Sequence, residues 1–508
     1  MAGLVRVNGQ TYEFMGHPTQ DDIGTKLQAK QVSLKVTPTQ SMFTFNTGPI
    51  ALAVNFFTPI DPTDLKRLSL PASYISVSAW SLDSDTHEVE VYLDISAEWT
   101  SGDSNEEVVW EVIEVIGNNT ILNADMRLKN QKTFEETDQF EAQWGTVKFF
   151  TDTTVTHEIN ACPTMRSHFV KNGKLDNTID QKFRKINDNW PGVGYARTMT
   201  ASPLKDKAPS VAYYGVAHVR RPAIEYTDSQ LNQLWEDYFN GDDNKMVQFV
   251  YEDMEDALKR ANDLDDRVVA DAKRVGGDSY VKIVSAALRQ AYGAIELMGT
   301  VSKPWMMLKE ISSNGNCQTV DVIYPHFPVQ LYLNPTLLRL LMEPLLDNQE
   351  RGFFPKKYSI HDLGTHYPRC IGHKDGVQDN VEWDDSSGGE TDESTDNDYN
   401  FSGSGDGEPL DDDDGCPQTN NFIDRIRLMH EEYRKESQNN TKHKKFDIES
   451  NTQHVLNRLF GLDQRNKLKL LETLSEVDLG LSPECTQAYV RIGQGFNRME
   501  LWALRFNN

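Results

Sequence analysis

The hydrophobic pattern of this 508-residue chain changes period once, near residue 225, and this change limits the possible folds more than any other feature. Up to about residue 220 apolar and polar residues alternate, most clearly from His87 to Trp99, and clusters of Pro, Gly, Asp and Ser separate the runs. Alternation of this kind indicates strands with one buried face. Regular turns between short strands favour an antiparallel β-sandwich. From Thr227 apolar residues recur at spacings of three and four, which is typical of amphipathic helices.

Four segments are therefore predicted, within the two to four domains that this length allows. Residues 1–222 form the β-sandwich, and residues 223–376 form a helical domain. Residues 377–418 are dominated by Asp, Glu, Gly and Ser and are expected to be a disordered linker, because they bury too little apolar surface to offset the entropy of ordering. Residues 419–508 return to helical spacing.

Glycine and proline predict where the helical elements begin and end. The Gly-Gly pair at 276–277 is expected to end a helix, and Pro325 and Pro328 are expected to prevent helix formation around them. A leucine-rich helix is expected to begin at 334–336. The other predicted elements are helices over 229–238, 244–275 and 279–297 and an extended segment over 305–311.

The formal net charge of −26 comes mainly from one tract, because about fifteen acidic residues and no Lys or Arg lie between Asp379 and Asp414. A nucleic-acid or anionic-membrane partner is not expected, since phosphates require a basic surface. No apolar run reaches 18 residues, so no membrane span is expected in this chain. The opening stretch MAGLVRVNGQTYEF lacks the apolar core of a signal peptide and is predicted to be a strand.

The five cysteines are widely spaced and show no CxxC or Cys/His pattern of the zinc type. Disulfides are possible, but the sequence alone does not pair the cysteines.

Four sequence motifs in the helical domain resemble those of a known family. KEISSNGN (309–316), TVDVIYPHFP (319–328), IHDLGTHYP (360–368) and GHKDG (372–376) occur in this order. In wording and spacing they resemble the fungal-type glutaminase A family, and phrases of the first domain such as TPTQSMFTF and VYLDISAEW are similar to the β domain of that family. The resemblance covers roughly residues 30–376.

The resemblance implies a secreted amidohydrolase that converts L-glutamine to L-glutamate and ammonia, with a β-sandwich followed by an (α/α) six-hairpin toroid. The family carries an acidic helical motif soon after GHKDG, whereas here the acidic linker follows. The toroid is therefore expected to be truncated, and inactivity of this copy stays open as an interpretation.

The last residues, LSPECTQAYVRIGQGFNRMELWALRFNN, resemble the N-terminal extracellular domain of the nose-resistant-to-fluoxetine family. Cys485 and the Trp-Ala-Leu triplet at 502–504 carry this short similarity. It leaves open whether the C-terminal join is a real fusion or an error in the gene model.

Hydrolysis of a side-chain carboxamide requires an activated water, donors for the oxyanion and an acid for the departing ammonia. Asp362 is expected to orient His366 as the base, and Glu310 or Asp375 is expected to supply the second proton-transfer group. The predicted catalytic residues, expected to face one cleft, are Asp321, Asp362, His366 and Glu310. The predicted substrate-binding residues are Arg289, Asn314, Asn316, Tyr324, His373 and Asp375.

Three other interpretations use the same residues. In a purely structural one, Asp321 and Asp362 cap helix ends. A glycoside hydrolase would use these two carboxylates on either side of a glycosidic bond. A non-catalytic fusion would bind its ligand or partner through the sandwich. A zinc site from the histidines at 361, 366 and 373 matches no familiar spacing, so we expect no metal, no other cofactor and a small-molecule substrate such as glutamine or a related amide.

Overall fold

The computed structural model describes residues 1–377 except 17–23, 25, 139, 206, 311–314 and 365. The predicted acidic linker and the predicted C-terminal helical segment lie outside the described residues, apart from Val377. Within the described part of the chain a β-sandwich is followed by helices, which confirms the predicted fold class. No helix of this part is both long enough and apolar enough to span a membrane.

Two large sheets form the sandwich within the described residues. The first sheet has the strand order β13 (Thr178–Ile179), β12 (Thr156–Ala161), β15 (Pro191–Ala201), β8 (His87–Ser96), β1 (Ala2–Val7), β2 (Gln10–Met15), β3 (Leu27–Gln28). The second has the order β14 (Arg184–Lys185), β9 (Glu107–Val115), β10 (Ile121–Leu128), β11 (Thr146–Asp152), β16 (Ser210–Val219), β7 (Ala72–Ser81), β6 (Ile50–Phe57), β5 (Gln40–Thr47), β4 (Lys30–Val36). A 3-10 turn, Ala97–Thr100, follows β8.

The main core lies between these sheets and follows the predicted alternation. Val91 and Leu93 of β8 are fully buried there, together with Leu52 and Val77 of the second sheet. Each such aliphatic side chain contributes about 2 kcal/mol on burial. The alternation therefore identified the inner face of β8 correctly.

The outer face of β8 is also buried, whereas the alternation predicted a strand with one buried face. Helix α2 (Cys162–Asn172) covers it, and Tyr92 and Asp94 are fully buried there. Arg166 of α2 donates to both carboxylate oxygens of Asp94, at 2.7 and 3.1 Å, and the Tyr92 hydroxyl donates at 2.8 Å. Burial opposes ionisation of Asp94, but the Arg166 charge outweighs it and lowers the pKa of that carboxyl.

The outer face of the second sheet is also covered. The short helices α1 (Leu65–Leu68) and α3 (Trp235–Phe239) lie near it with α4 (Asp243–Glu252) and the start of α5 (Met254–Gly293). Met246 and Val250 of α4 pack with Phe57, Tyr74 and Phe150 of the sheet in one buried cluster. The sandwich and the helices therefore share a hydrophobic core.

The helical region keeps the predicted order of elements but shifts several boundaries. Residues 229–231 form a strand, so the helix predicted from 229 begins only at Trp235. Gly277 interrupts α5 with non-helical backbone angles, as its Gly-Gly pair predicted. The small sheets are β18 (Ser229–Leu231) with β17 (Ile224–Tyr226) and β21 (Arg369–Cys370), and β19 (Ile295–Thr300) with β20 (Lys303–Leu308).

Pro325 and Pro328 lie inside a helix, α6 (Val320–Leu333), which contradicts the predicted break. Ile323 and Phe327 of α6 are buried with the leucine-rich helix α7 (Pro335–Glu350). This packing outweighs the hydrogen bonds that proline removes from a helix. Helix α7 begins where predicted, because the Asn334 side chain accepts the Thr336 amide hydrogen at 3.0 Å.

The long helix α5 holds the turn between β4 and β5 from both of its halves. Asp265 accepts hydrogen bonds from the Thr37 hydroxyl (2.5 Å), the Thr39 amide and hydroxyl (both 3.0 Å) and the Gln40 side chain (2.8 Å). Arg289 donates to the carbonyls of Thr37 (2.7 Å) and Gln40 (2.6 Å). The turn therefore donates hydrogen bonds to one half of the helix and accepts them from the other.

Replacement of Asp265 by Ala should lower the free energy of unfolding by about 3 kcal/mol, because four buried donors lose their acceptor together. The measurement is denaturant unfolding of the purified chain. Asp266→Ala is the matched control, since Asp266 is the exposed neighbour in the same helix. Equal midpoints for the two variants would contradict this role of Asp265.

Candidate functional site

Two polar loops come together in the structure: one precedes α6 and includes Cys317, and the other follows α7 and includes Asp362. The Leu363 amide donates to the Cys317 carbonyl at 2.8 Å, and the Cys317 amide donates to the Gly364 carbonyl at 3.0 Å. The Tyr367 amide reaches the Gly315 carbonyl at 2.8 Å. A disulfide between Cys317 and Cys370 joins the same two loops covalently. The pairing left open by the sequence is therefore fixed where the candidate site lies.

Asp362 is the central residue of these loops and is only 2% exposed. Its carboxylate accepts hydrogen bonds from His361 Nδ1 at 2.8 Å, His373 Nε2 at 2.7 Å and the Gly364 amide at 2.7 Å. Burial alone would raise the pKa of Asp362, but these three donors outweigh it and hold the pKa well below its usual value. Asp362 is thus a permanently charged acceptor.

His361 connects Asp362 to a second carboxylate. Its Nε2 lies 3.0 Å from Asp321 Oδ1, while its Nδ1 faces Asp362. The hydrogen bond to Asp362, opposed by burial and supported by both negative charges, raises the pKa of His361 above 6.5. Asp321 lies in the first turn of α6, where a negative charge is favourable, and its side chain is 73% exposed. The series Asp321–His361–Asp362–His373 therefore runs from the exposed Asp321 to the buried Asp362 and on to the partly buried His373.

Glu310 and Asn316 are buried beside this series. The Glu310 carboxylate accepts the Thr319 hydroxyl hydrogen at 2.9 Å, and Thr319 precedes the first residue of α6. The Glu310 amide donates to the Asn316 carbonyl at 2.8 Å. Two further predicted residues, Glu310 and Asn316, thus belong to the same pair of loops as Asp362.

The other predicted site residues are distributed differently. His366 is exposed, and its carbonyl accepts the Arg369 amide, so the imidazoles that contact Asp362 are His361 and His373 instead of the expected His366. The exposed Asp375 accepts the amide of Val377 in its own turn.

Arg289 donates hydrogen bonds to the turn between β4 and β5. Tyr324 is about half exposed and packs its ring against Phe327 of the same helix. Asn314 lies outside the described residues.

The sequence did not predict a group of partly buried charges between the loops and the sandwich. Lys309 Nζ lies 2.8 Å from both carboxylate oxygens of Glu136, and the Tyr367 hydroxyl donates to Glu296 at 2.5 Å. Arg220 forms an ion pair with the same Glu296. Lys309 and Tyr367 belong to the quoted phrases, but Glu136, Arg220 and Glu296 carry no local signal because their partners are far away in the chain.

Burial shifts the pair formed by Lys309 and Glu136 toward neutrality. It lowers the pKa of Lys309 and raises the pKa of Glu136, while the attraction between the two charges opposes both shifts. For Glu296 burial also acts to raise the pKa, but Arg220 and Tyr367 outweigh it and lower the pKa. The loops therefore have titratable groups with shifted pKa values on the sandwich side as well as around Asp362.

Chemically, the arrangement offers a solvent-facing carboxylate, an imidazole that favours the protonated state and a buried anion that orients it. These are the groups that proton transfer to and from a bound substrate requires. Oriented acids, bases and donors of this kind suit hydrolysis of a polar bond.

Comparison with known families gives two adjoining matches. Residues 39–271 match the family described as "Domain of unknown function (DUF5127)". Residues 277–388 match the "Glutaminase A six helical-hairpin domain". The second match contains every residue of the loops described above.

Two curated relatives are similar to this chain. Glutaminase A of Aspergillus oryzae is 36% identical over 383 residues, which are 74% of this chain and 54% of that protein. A protein of Arthroderma benhamiae, named as a glutaminase, is 31% identical over 391 residues, which are 72% of this chain and 44% of that protein. The chain thus spans about half the length of the curated relatives that it matches.

Among solved structures, a galactose mutarotase related enzyme from Lactobacillus acidophilus is 10% identical and covers 42% of this chain and 76% of its own, with a TM-score of 0.19. A similarity of that size supports no conclusion. The two family matches and the two relatives agree with one another, and from them we conclude that the chain belongs to the glutaminase A family.

Proposed function

We propose that the chain is a glutaminase A-like amidohydrolase that converts L-glutamine to L-glutamate and ammonia. The observation that carries the proposal is the hydrogen-bonded series Asp321–His361–Asp362–His373, which lies in the part of the chain that matches the six-hairpin domain. Relatives named as glutaminases support the choice of substrate.

In the proposed mechanism Asp362 orients the two imidazoles and stays ionised. Asp321, which faces solvent, takes a proton from the attacking water, and the His361 imidazolium gives a proton to the departing ammonia. Glu310 is a second carboxylate beside the same loops. Tyr324 lies three residues after Asp321 on α6, so both side chains share one exposed helix face, and we assign Tyr324 to substrate contact.

The contacts of Asp362 argue against the glycosidase alternative. A glycosidase acid needs a carboxyl group with a raised pKa next to the leaving oxygen. Asp362 is buried, already accepts three hydrogen bonds, and has a lowered pKa. These contacts therefore disfavour Asp362 as the acid of such a pair and support its role as an orienting anion.

Secretion is part of the proposal, and the disulfide between Cys317 and Cys370 supports it. Disulfides persist in oxidising compartments and are rare in the cytosol. This bond joins the two loops that carry the proposed site, so the site should form fully only when the two cysteines are oxidised. A reducing agent should therefore weaken activity along with stability.

Replacement of Asp362 by Asn should lower kcat for ammonia release from L-glutamine by about 10²–10⁴-fold, because the charge that orients His361 and His373 is lost. Coupled ammonia detection with the full chain gives the measurement. Asp83→Asn is the matched control, since Asp83 forms a surface pair with His87 at 2.9 Å, and its rate should equal that of the wild type.

Two results would count against this proposal. One is equal ammonia release by wild type and Asp362→Asn, and the other is release of reducing sugar from glycosides in place of ammonia from glutamine. Binding of glutamine that depends on Asp362, without turnover, would instead assign this chain the binding site alone and support the interpretation that a truncated toroid is inactive.

The pH profile tests the role of His361. The hydrogen bond to Asp362 raises the pKa of His361, so the imidazolium is lost only as pH rises through the raised value, and kcat/KM should fall on that alkaline side. Its contribution to folding stability has the same sign, being present below 6.5 and lost as pH rises through the folded pKa. A kcat/KM that does not fall on that side would exclude His361 as the acid. Asp321→Asn removes the proposed base as well as one charge that raises the pKa of His361, so in this variant the titration of His361 is followed directly by NMR of its ring protons, and its midpoint should move to lower pH.

A further inference from the structure

Three side chains of types that can bind metal ions lie close together near one edge of the first sheet of the sandwich. Glu158 belongs to β12, His168 belongs to α2, and Asp176 lies in the segment that follows α2. One ligand atom from each residue lies within 4.8 Å of the other two. None of these residues belongs to the candidate site described above.

The fold positions the three residues through the segment that leaves α2. Gly173 ends the helix in the left-handed region with φ of 70°. The chain then returns beside β12, so that Thr178 of β13 pairs with Glu158. The Asn177 side chain accepts the His157 amide hydrogen at 2.9 Å, which fixes the position next to Asp176. The site therefore combines three elements that are each held by backbone structure.

Two distances from the imidazole are close to those around a small tetrahedral ion. His168 Nδ1 lies 3.0 Å from Glu158 Oε2, to which it is hydrogen-bonded, and 3.4 Å from Asp176 Oδ2. Nitrogen and oxygen ligands at roughly 2.0–2.1 Å from Zn²⁺ are about 3.3–3.4 Å from one another in tetrahedral geometry. An ion would take the place of the hydrogen between His168 and Glu158.

Burial and charge also favour a cation here. Glu158 is 0% exposed, and in the described part of the chain no Lys or Arg forms an ion pair with Glu158 or Asp176. Two carboxylates thus share one imidazole, although a buried carboxylate needs a compensating charge. The Asn160 side chain donates to Glu158 Oε1 at 2.9 Å, as residues behind a metal ligand often do. Asp176 is exposed and leaves a path for an ion to enter.

We propose that Glu158, His168 and Asp176 bind Zn²⁺, with water as the fourth ligand. The imidazole nitrogen disfavours Ca²⁺ and Mg²⁺, which take oxygen ligands. Bound zinc joins β12, α2 and the segment before β13, and it therefore stabilises this edge of the sandwich. The site is independent of amide hydrolysis.

The test is calorimetric titration of the metal-free full chain with Zn²⁺ alone. The wild type should bind one ion more than His168→Gln or Asp176→Asn, and Asp176→Asn should fold normally because Asp176 is on the surface. His87→Gln is the matched control, since His87 contacts one carboxylate, that of Asp83, and lacks a third ligand; it should bind as the wild type does. This comparison separates the site from the other His and Cys residues of the chain.

Two further measurements sharpen the test. Asn160→Ala should weaken Zn²⁺ binding by about 10–100-fold while leaving the number of sites unchanged. Cobalt in place of zinc should give the d–d absorption of a four-coordinate ion in the wild type, and this absorption should be lost in His168→Gln. Equal stoichiometry and affinity in the wild type, His168→Gln and Asp176→Asn would overturn the proposal whatever the amidohydrolase assay shows.

Discussion

The hydrogen bonds between α5 and the turn that joins β4 to β5 fix the position of the helical region on the sandwich. Asp265 and Arg289 come from the two halves of one helix, and each bonds the same short turn. The acceptor takes hydrogens from the turn while the donor binds its carbonyls, so the turn's polar groups are satisfied despite their burial. Because α5 leads into β19, β20 and α6, its attachment to the sandwich sets the direction of the loops that carry the candidate site.

The partly buried charges between the sandwich and the loops complete this attachment. Lys309 with Glu136 and Arg220 with Glu296 each join an element of the sandwich to an element of the helical region. Removing such charges from water is costly, and only close pairing with hydrogen bonds offsets the cost. The loops are therefore held on one side by ion pairs and on the other by the disulfide and the Asp362 hydrogen bonds. A rigid frame of this kind suits groups whose pKa values depend on fixed distances.

The sequence predicted those parts of the structure that depend on local pattern. The alternation of apolar and polar residues predicted the inner face of β8, and Asn334 predicted the start of α7. It failed where distant packing decides. Tyr92 and Asp94 are buried only because α2 covers them, and Pro325 lies in a helix because α7 packs against that helix.

The sequence identified Asp362 and His373 as site residues, but it did not predict that they contact each other. Spacing within a loop does not show which imidazole faces a carboxylate, so His366 was favoured over His361. Glu136 gave no signal, since 173 positions separate it from Lys309.

The interruption of α5 at Gly277 has a consequence for how such chains evolve. One family match ends at residue 271 and the next begins at 277, so the seam between them falls within a helix and not within a loop. Recombination at that seam would separate the acidic partner of the β4–β5 turn from the basic one. Neither half could be exchanged for an unrelated module without losing its anchor, and the two parts are therefore expected to be inherited as a single unit.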